Sequence, residues 1–194
     1  MNKKSLPDFD SRGNMPDGCF HCSLIEFKER FVDSFTESYT RKSRFEGFLN
    51  FIKYISKNIN SSKYKLIVDG SFITTKINPN DIDFLIVFEY SKLSEKEYDF
   101  VENEYEKQEN LLIKRDFHFK LVKMGLMDLN NVYCCDWSPL YKREYMDNKY
   151  LKYLKLKNFY LDLWGNTQSD ENGLYYPKGM IILEIDSNII EGFL

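Results

Sequence analysis

The 194-residue chain is 43% hydrophobic and 29% charged, which suits one globular domain with a real core and excludes disordered and fibrous classes. Its formal net charge of −3 disfavours a general nucleic-acid binder, which would be basic. No apolar run reaches the ~18 residues of a membrane span, and MNKKSLPDFD lacks the apolar stretch of a signal peptide, so a cytoplasmic location is expected.

Residues 1–18 are polar and hold two Pro and two Gly, the composition of a flexible N-terminal arm, with a single domain expected over 19–194. Cys19-Phe20-His21-Cys22 has the form of half a zinc site. A second ligand pair is missing, since Cys134 and Cys135 are adjacent, and reduced thiols without function explain the four cysteines better. Ser23 with Glu26 three residues later forms a capping box, predicting a helix to about residue 33.

A second helix is expected over residues 36–58. There Phe45, Phe48, Leu49, Ile52 and Ile55 recur at three- and four-residue steps. Residues 64–68 are β-prone and stop at Asp69-Gly70-Ser71. After a loop marked by Asn78-Pro79-Asn80, Ile82 and residues 84–88 form a near-continuous apolar run, the signature of a strand buried on both faces. Ser94 and Glu97 start an acidic helix to about residue 109, and a further helix over 111–127 holds His118 between two phenylalanines. That histidine reads as a hydrogen-bonded, partly buried side chain. A strand over 132–136, ended by Trp137-Ser138-Pro139, a helix over 150–164 and a last strand over 179–185 complete the order. Lys149, Lys152 and Lys155, with Tyr150 and Tyr153 between them, read as the solvent face of their helix. The whole is an α+β domain with one mixed sheet flanked by helices.

The stretch that carries chemistry is Asp69-Gly70-Ser71-Phe72, a nine-residue spacer after Ser71, then Asp81-Ile82-Asp83. Alternation along a strand sends Asp81 and Asp83 to one face, about 7 Å apart. Two carboxylates so placed can hold Mg²⁺ or Mn²⁺ beside substrate phosphates. Gly70 permits close backbone approach to a phosphate, and Ser71 adds a hydroxyl and an N–H. Lys76 can reach a phosphate as a point charge or stay solvated. Lys178-Gly179 reads equally as a phosphate contact or a turn. A lone Asp-x-Asp usually lies in a turn. Here it opens a buried strand, where two unpaired charges are costly, and that favours a site.

This Gly-Ser, spacer, Asp-x-Asp pattern resembles the signature of the DNA polymerase beta-like nucleotidyltransferase superfamily. Met15-Pro16-Asp17-Gly18, Asp69-Gly70-Ser71-Phe72, Pro79-Asn80-Asp81-Ile82-Asp83 and Pro177-Lys178-Gly179 together resemble a little-characterised group of stand-alone bacterial and phage nucleotidyltransferase-like proteins. The resemblance implies a nucleotidyltransferase-like fold, with Asp81 and Asp83 as metal carboxylates and Gly70 and Ser71 holding the triphosphate. It also implies a third carboxylate on a neighbouring strand. Asp136 is the candidate, as base or metal ligand, with Asp69 and Asp116 as weaker substitutes. The implied reaction moves a nucleoside monophosphate from an NTP to a hydroxyl on a protein, an RNA end or a small molecule. The superfamily includes minimal enzymes that act as antitoxins, so a toxin-antitoxin or phage-defence role with a protein partner follows by analogy. Nucleic acid is a less favoured partner, and no membrane is implied. The alternative is a catalytically degenerate fold serving as a nucleotide-binding or protein-partner module.

Overall fold

The computed structural model describes residues 6–60, 64–89, 92–113, 135–142 and 172–185. In chain order these form β1 (Cys19–Ser23), α1 (Leu24–Lys28), a π-helical turn (Glu29–Asp33), α2 (Arg41–Asn58) and β2 (Tyr64–Asp69). A 3₁₀ turn (Ser71–Ile73), β3 (Ile82–Glu89), α3 (Glu95–Ile113), β4 (Cys135–Lys142) and β5 (Met180–Glu184) follow. The expected helix over 111–127, that over 150–164, and with them Asp116, His118, Lys149, Lys152 and Lys155, lie largely or wholly outside the described residues.

The strands make one mixed sheet in the order β1-β5-β2-β3-β4. The two end pairs, β1 with β5 and β3 with β4, are parallel, while β2 runs antiparallel to both β5 and β3. This is the expected α+β class. Among the described residues no helix is long and apolar enough to cross a membrane.

Phe84 and Ile86 of β3 and Val68 and Leu66 of β2 occupy paired positions on one face, all fully buried. The apolar stripe of α2 packs there: Phe48 meets Phe84 edge-on with ring centroids 5.1 Å apart, and Phe51 meets it at 5.7 Å. A fully buried phenylalanine such as Phe48 or Phe84 contributes roughly 1.5–3 kcal/mol. Phe27 of α1 stacks on Phe72 of the 3₁₀ turn at 5.9 Å, so the chain after Gly70 is pinned to the same core.

The capping box forms as expected. Ser23 Oγ accepts from the Glu26 amide at 3.2 Å, and the Glu26 carboxylate accepts from the Ser23 amide at 2.8 Å. The helix then widens: the Ser34 amide donates to the Glu29 carbonyl, five residues back, at 3.2 Å, a π-type bond.

Two expectations change, and the local geometry also weighs against the half zinc site that the sequence already disfavours. Residues 19–23 form a strand, and side chains three apart on a strand leave opposite faces. Cys19 is accordingly exposed and Cys22 buried, so the pair cannot hold one zinc ion. The segment read as a flexible arm is, over residues 6–18, laid against the core. Met15 is 1% exposed, its carbonyl accepts from the Gly179 amide at 3.0 Å, and Phe9 packs edge-on against Phe31. Finally, β4 does not stop at 136 but continues through Pro139, which pairs in register with Ile86. An end strand admits proline because its missing N–H can face away from the ladder.

Candidate functional site

The antiparallel pairing of β2 with β5 and β3 brings the end of β2 beside the starts of β3 and β5, and the parallel partners β1 and β4 start there too. The residues of interest gather at that one edge. Asp69, the last residue of β2, pairs with Asp83, and Asp83 pairs with Asp136 of β4. Three aspartates therefore occupy one row across three neighbouring strands. Antiparallel register partners share a face, so Asp69 and Asp83 lie on the side opposite the Phe84 core. Asp81 stands two residues before Asp83, immediately ahead of β3. The sequence singled out Asp81, Asp83 and Asp136. The backbone brings them to a common edge, with Asp136 described through its register position.

Gly70 adopts φ +73° and ψ −165°, a region populated essentially by glycine. A Cβ built there would fall on the Asp83 carboxylate. The protein group that approaches it most closely is the Asp83 carboxylate. Glycine is thus required twice, by dihedral and by contact, and the turn presses the Gly-Ser segment against the Asp-x-Asp strand. Ser71 opens the 3₁₀ turn, and its carbonyl accepts from the Thr74 hydroxyl at 2.8 Å and the Thr74 amide at 3.3 Å.

The loop from Ser71 to Asp81 is held by a residue that sequence reasoning missed. Arg41, 1% exposed, donates through Nη1 to the carbonyls of Phe31 and Phe72, each at 2.6 Å. Through Nη2 it donates to the carbonyls of Thr74 at 2.8 Å and Lys76 at 2.6 Å. Its guanidinium lies 3.7 Å from the Phe35 ring centroid. Burial lowers its pKa to about 10, which still leaves it charged at neutral pH. The signal was present: Arg41 continues the spacing of Phe45, Phe48, Ile52 and Ile55 as a lone cation on an apolar stripe. Asn78 adds a second tether, its Oδ1 accepting from the Tyr39 amide at 3.1 Å and the Ser38 hydroxyl at 3.2 Å. The Lys76 side chain stands exposed on this loop.

Lys178 has a role neither of its two readings held. Its Nζ stands 3.0 Å from Asp69 Oδ1, off the line of a well-aligned hydrogen bond, so the contact is chiefly an ion pair. Asp69 is 2% exposed, and burial raises its carboxyl pKa, opposed by Lys178 and by the Gly70 amide. Asp69 is thereby committed to Lys178, which weakens it as a substitute third carboxylate. Among the described residues no group of three His, Cys, Asp or Glu is disposed to hold a metal. No curated protein and no solved structure matches the chain. A family model matches residues 7–184, taking in every residue of this edge, and the chain belongs to that family, a family of unknown function, DUF6932.

Proposed function

We propose that the chain is a metal-dependent nucleotidyltransferase. The observation that supports this most is the register row Asp69–Asp83–Asp136, with Asp81 beside it and Gly70 folded against Asp83. A strand edge with this many carboxylates is costly unless cations or donors offset the charge, and Lys178 does so at Asp69. Hard carboxylate oxygens suit Mg²⁺ or Mn²⁺, so the donor set fits the implied ion. Asp81, Asp83 and Asp136 would hold it. When bound, it would screen the charge of the triphosphate and of the departing pyrophosphate.

The remaining work falls to the chain. Ser71 offers its hydroxyl and amide to phosphate oxygens, with Lys76 as a nearby cation. Arg41 fixes the path of the loop that carries all three through its four carbonyl contacts. The acceptor oxygen attacks the α-phosphorus, the bond to the bridging oxygen of pyrophosphate breaks, and the hydroxyl proton passes to a carboxylate, with Asp136 the candidate base.

Titration calorimetry with ATP, GTP, CTP and UTP in Mg²⁺ or Mn²⁺ tests the reading. Binding that requires the metal and is lost in the Asp81→Ala, Asp83→Ala double variant is expected. Well-folded protein that binds no triphosphate would falsify it. The second reading, a nucleotide-binding or protein-partner module without turnover, draws on the commitment of Asp69 to Lys178, which leaves catalysis dependent on Asp136. Nucleotide binding that survives Asp136→Asn, with no transfer to any acceptor, would select it.

A further inference from the structure

A cavity of about 410 Å³ opens between the π-helical turn and the first turns of α2, and none of its lining residues belongs to the carboxylate edge. Its volume lies in the range of small-ligand sites, about 300–1,000 Å³. Val32, Phe35, Phe45 and Leu49 give it an apolar wall. Its charged residues do not balance. Lys28 and Asp33 pair with each other at 2.7 Å. That leaves Arg41 and Lys42 against Glu46, an excess of one positive charge on the lining.

Two observations point to an anion. Arg41 is 1% exposed and lines the cavity, and while its two terminal nitrogens are spent on four carbonyls, its Nε is buried without a hydrogen-bond partner. A charged donor left unmet in a buried place is costly, and an acceptor in the cavity would relieve it. The second observation is the start of α2. Its first turn carries Arg41, Lys42 and Arg44 and no acid, and Thr40 at the N-cap makes no side-chain capping bond, its Oγ1 buried without a partner. Cations at this end run against the helix dipole, which favours a negative charge there.

We propose that the cavity binds a small monocarboxylate with an apolar body, its acid group at Arg41 Nε and Lys42 and its body on Phe45 and Leu49. One negative charge matches the excess on the lining. A phosphate monoester carries close to two at neutral pH and would overshoot it beside Glu46. The Arg41 guanidinium also holds the Thr74 and Lys76 carbonyls, so the occupant touches the side chain that sets the path of the loop after Ser71. The site shares no residue with the carboxylate row and stands independently of the nucleotidyltransferase reading.

The test is a titration of the ¹⁵N-labelled full chain with 4-phenylbutanoate at neutral pH, followed by amide chemical shifts. Saturable shifts centred on residues 32–49 are expected, with a Kd on the order of 1 mM for a probe of this size. The neutral 4-phenylbutanamide should bind at least about tenfold more weakly, for the lost charged hydrogen bond. Lys42→Glu, at an exposed position, turns the excess charge negative and should weaken the acid at least about fivefold, with a spectrum that matches the parent away from the cavity. The Asp81→Ala, Asp83→Ala variant should bind the probe like the parent. Absence of saturable shifts, or shifts centred outside residues 32–49, overturns the inference. Equal affinity for acid and amide overturns it too, since the cavity is then only apolar, as does an unchanged affinity in Lys42→Glu. Tighter binding of 4-phenylbutyl phosphate than of the carboxylate would overturn the monocarboxylate assignment.

Discussion

Two buried charges flank the Gly70 turn, and they are held in opposite ways. Arg41 sits in a cage of four main-chain carbonyls and an aromatic face. Asp69 has one lysine, two residues before β5. The first arrangement spreads a cation over neutral dipoles drawn from three segments, the π-turn, the 3₁₀ turn and the loop beyond it. The second sets one charge against one charge, on the same row as Asp83. A caged cation fixes backbone. A one-to-one pair cancels a field locally. The comparison suggests a division of labour, with Arg41 shaping the loop and Lys178 tuning the charge of the edge.

Removing the cage should cost most. Arg41→Met leaves four carbonyls without their donor, two of them in contacts that are fully buried. At about 1–3 kcal/mol for each buried orphan, partly relieved by water at the outer two, a loss of about 4–5 kcal/mol is expected in chemical denaturation. Arg41→Lys should recover less than half, because one ammonium cannot span four acceptors. A loss under about 1 kcal/mol would remove the cage from the argument.

The pair should respond differently. Lys178→Met strands the Asp69 carboxylate in a buried position and should cost about 3 kcal/mol. Asp69→Asn alone strands the lysine, which is 13% exposed in its side chain and can turn toward solvent, so a smaller loss of about 1–2 kcal/mol is expected. The double variant should recover much of the Lys178→Met loss, and the coupling measured by the cycle should be at least about 1 kcal/mol. Additive losses would show that the pair is a contact without energetic meaning.

Gly70→Ala probes the turn between the two charges. A methyl group there must displace the Asp83 carboxylate and force alanine into a glycine-only region. A loss of about 2–3 kcal/mol is expected, together with weaker metal-dependent triphosphate binding. Asp83→Gly on the Gly70→Ala background relieves the contact but not the dihedral. It should therefore restore part of the stability and none of the binding.

The two regions were not equally legible in the sequence. Periodicity exposed α2 and its buried Phe45, Phe48, Leu49, Ile52 and Ile55, because a helix face repeats and burial follows the repeat. The apolar run of β3 and the Gly-Ser and Asp-x-Asp motifs were legible for the same local reason. Asp136 could be proposed from position alone, and its pairing with Asp83 depends on register, which no local pattern encodes. The Asp69–Lys178 pair joins residues more than a hundred positions apart, and each half has an innocent reading by itself. Arg41 showed only its place on the stripe, because the carbonyls that hold it come from distant segments. The stretch before Arg41, expected as helix, is instead occupied by the turn that holds Asn78, so Arg41 stands at the helix start, within reach of the carbonyls of other segments. The N-terminal segment misled through composition: its prolines and glycines suggested freedom, while Phe9 and Met15 carried the anchoring.

At neutral pH the smallest expected effect lies at the other end of β2, where Tyr64 buries a neutral phenol against Phe88 and shares a 2.7 Å hydrogen bond with the Ser56 hydroxyl. Burial raises its pKa to about 12, with the Ser56 bond opposing in part. The sign follows from linkage. Below the unfolded value near pH 10 both states are protonated and the fold keeps its full stability; as pH climbs from 10 to 12 the unfolded state ionises first, so stability falls by up to about 2.7 kcal/mol. Arg41 acts in the reverse sense, since its folded pKa is lowered to about 10 and stability rises as pH climbs above that value. The two slopes oppose each other in the wild type, so the difference between wild type and Tyr64→Phe is the informative quantity. At neutral pH the variant should lose only about 1 kcal/mol, for the Ser56 bond. Above pH 10 it should lose that deficit and overtake the parent as its own rising Arg41 slope stands alone. Parallel curves for the two proteins from pH 8 to 11.5 would show that the phenol ionises as readily folded as unfolded, and would leave Arg41 as the main buried group shaping the alkaline limb.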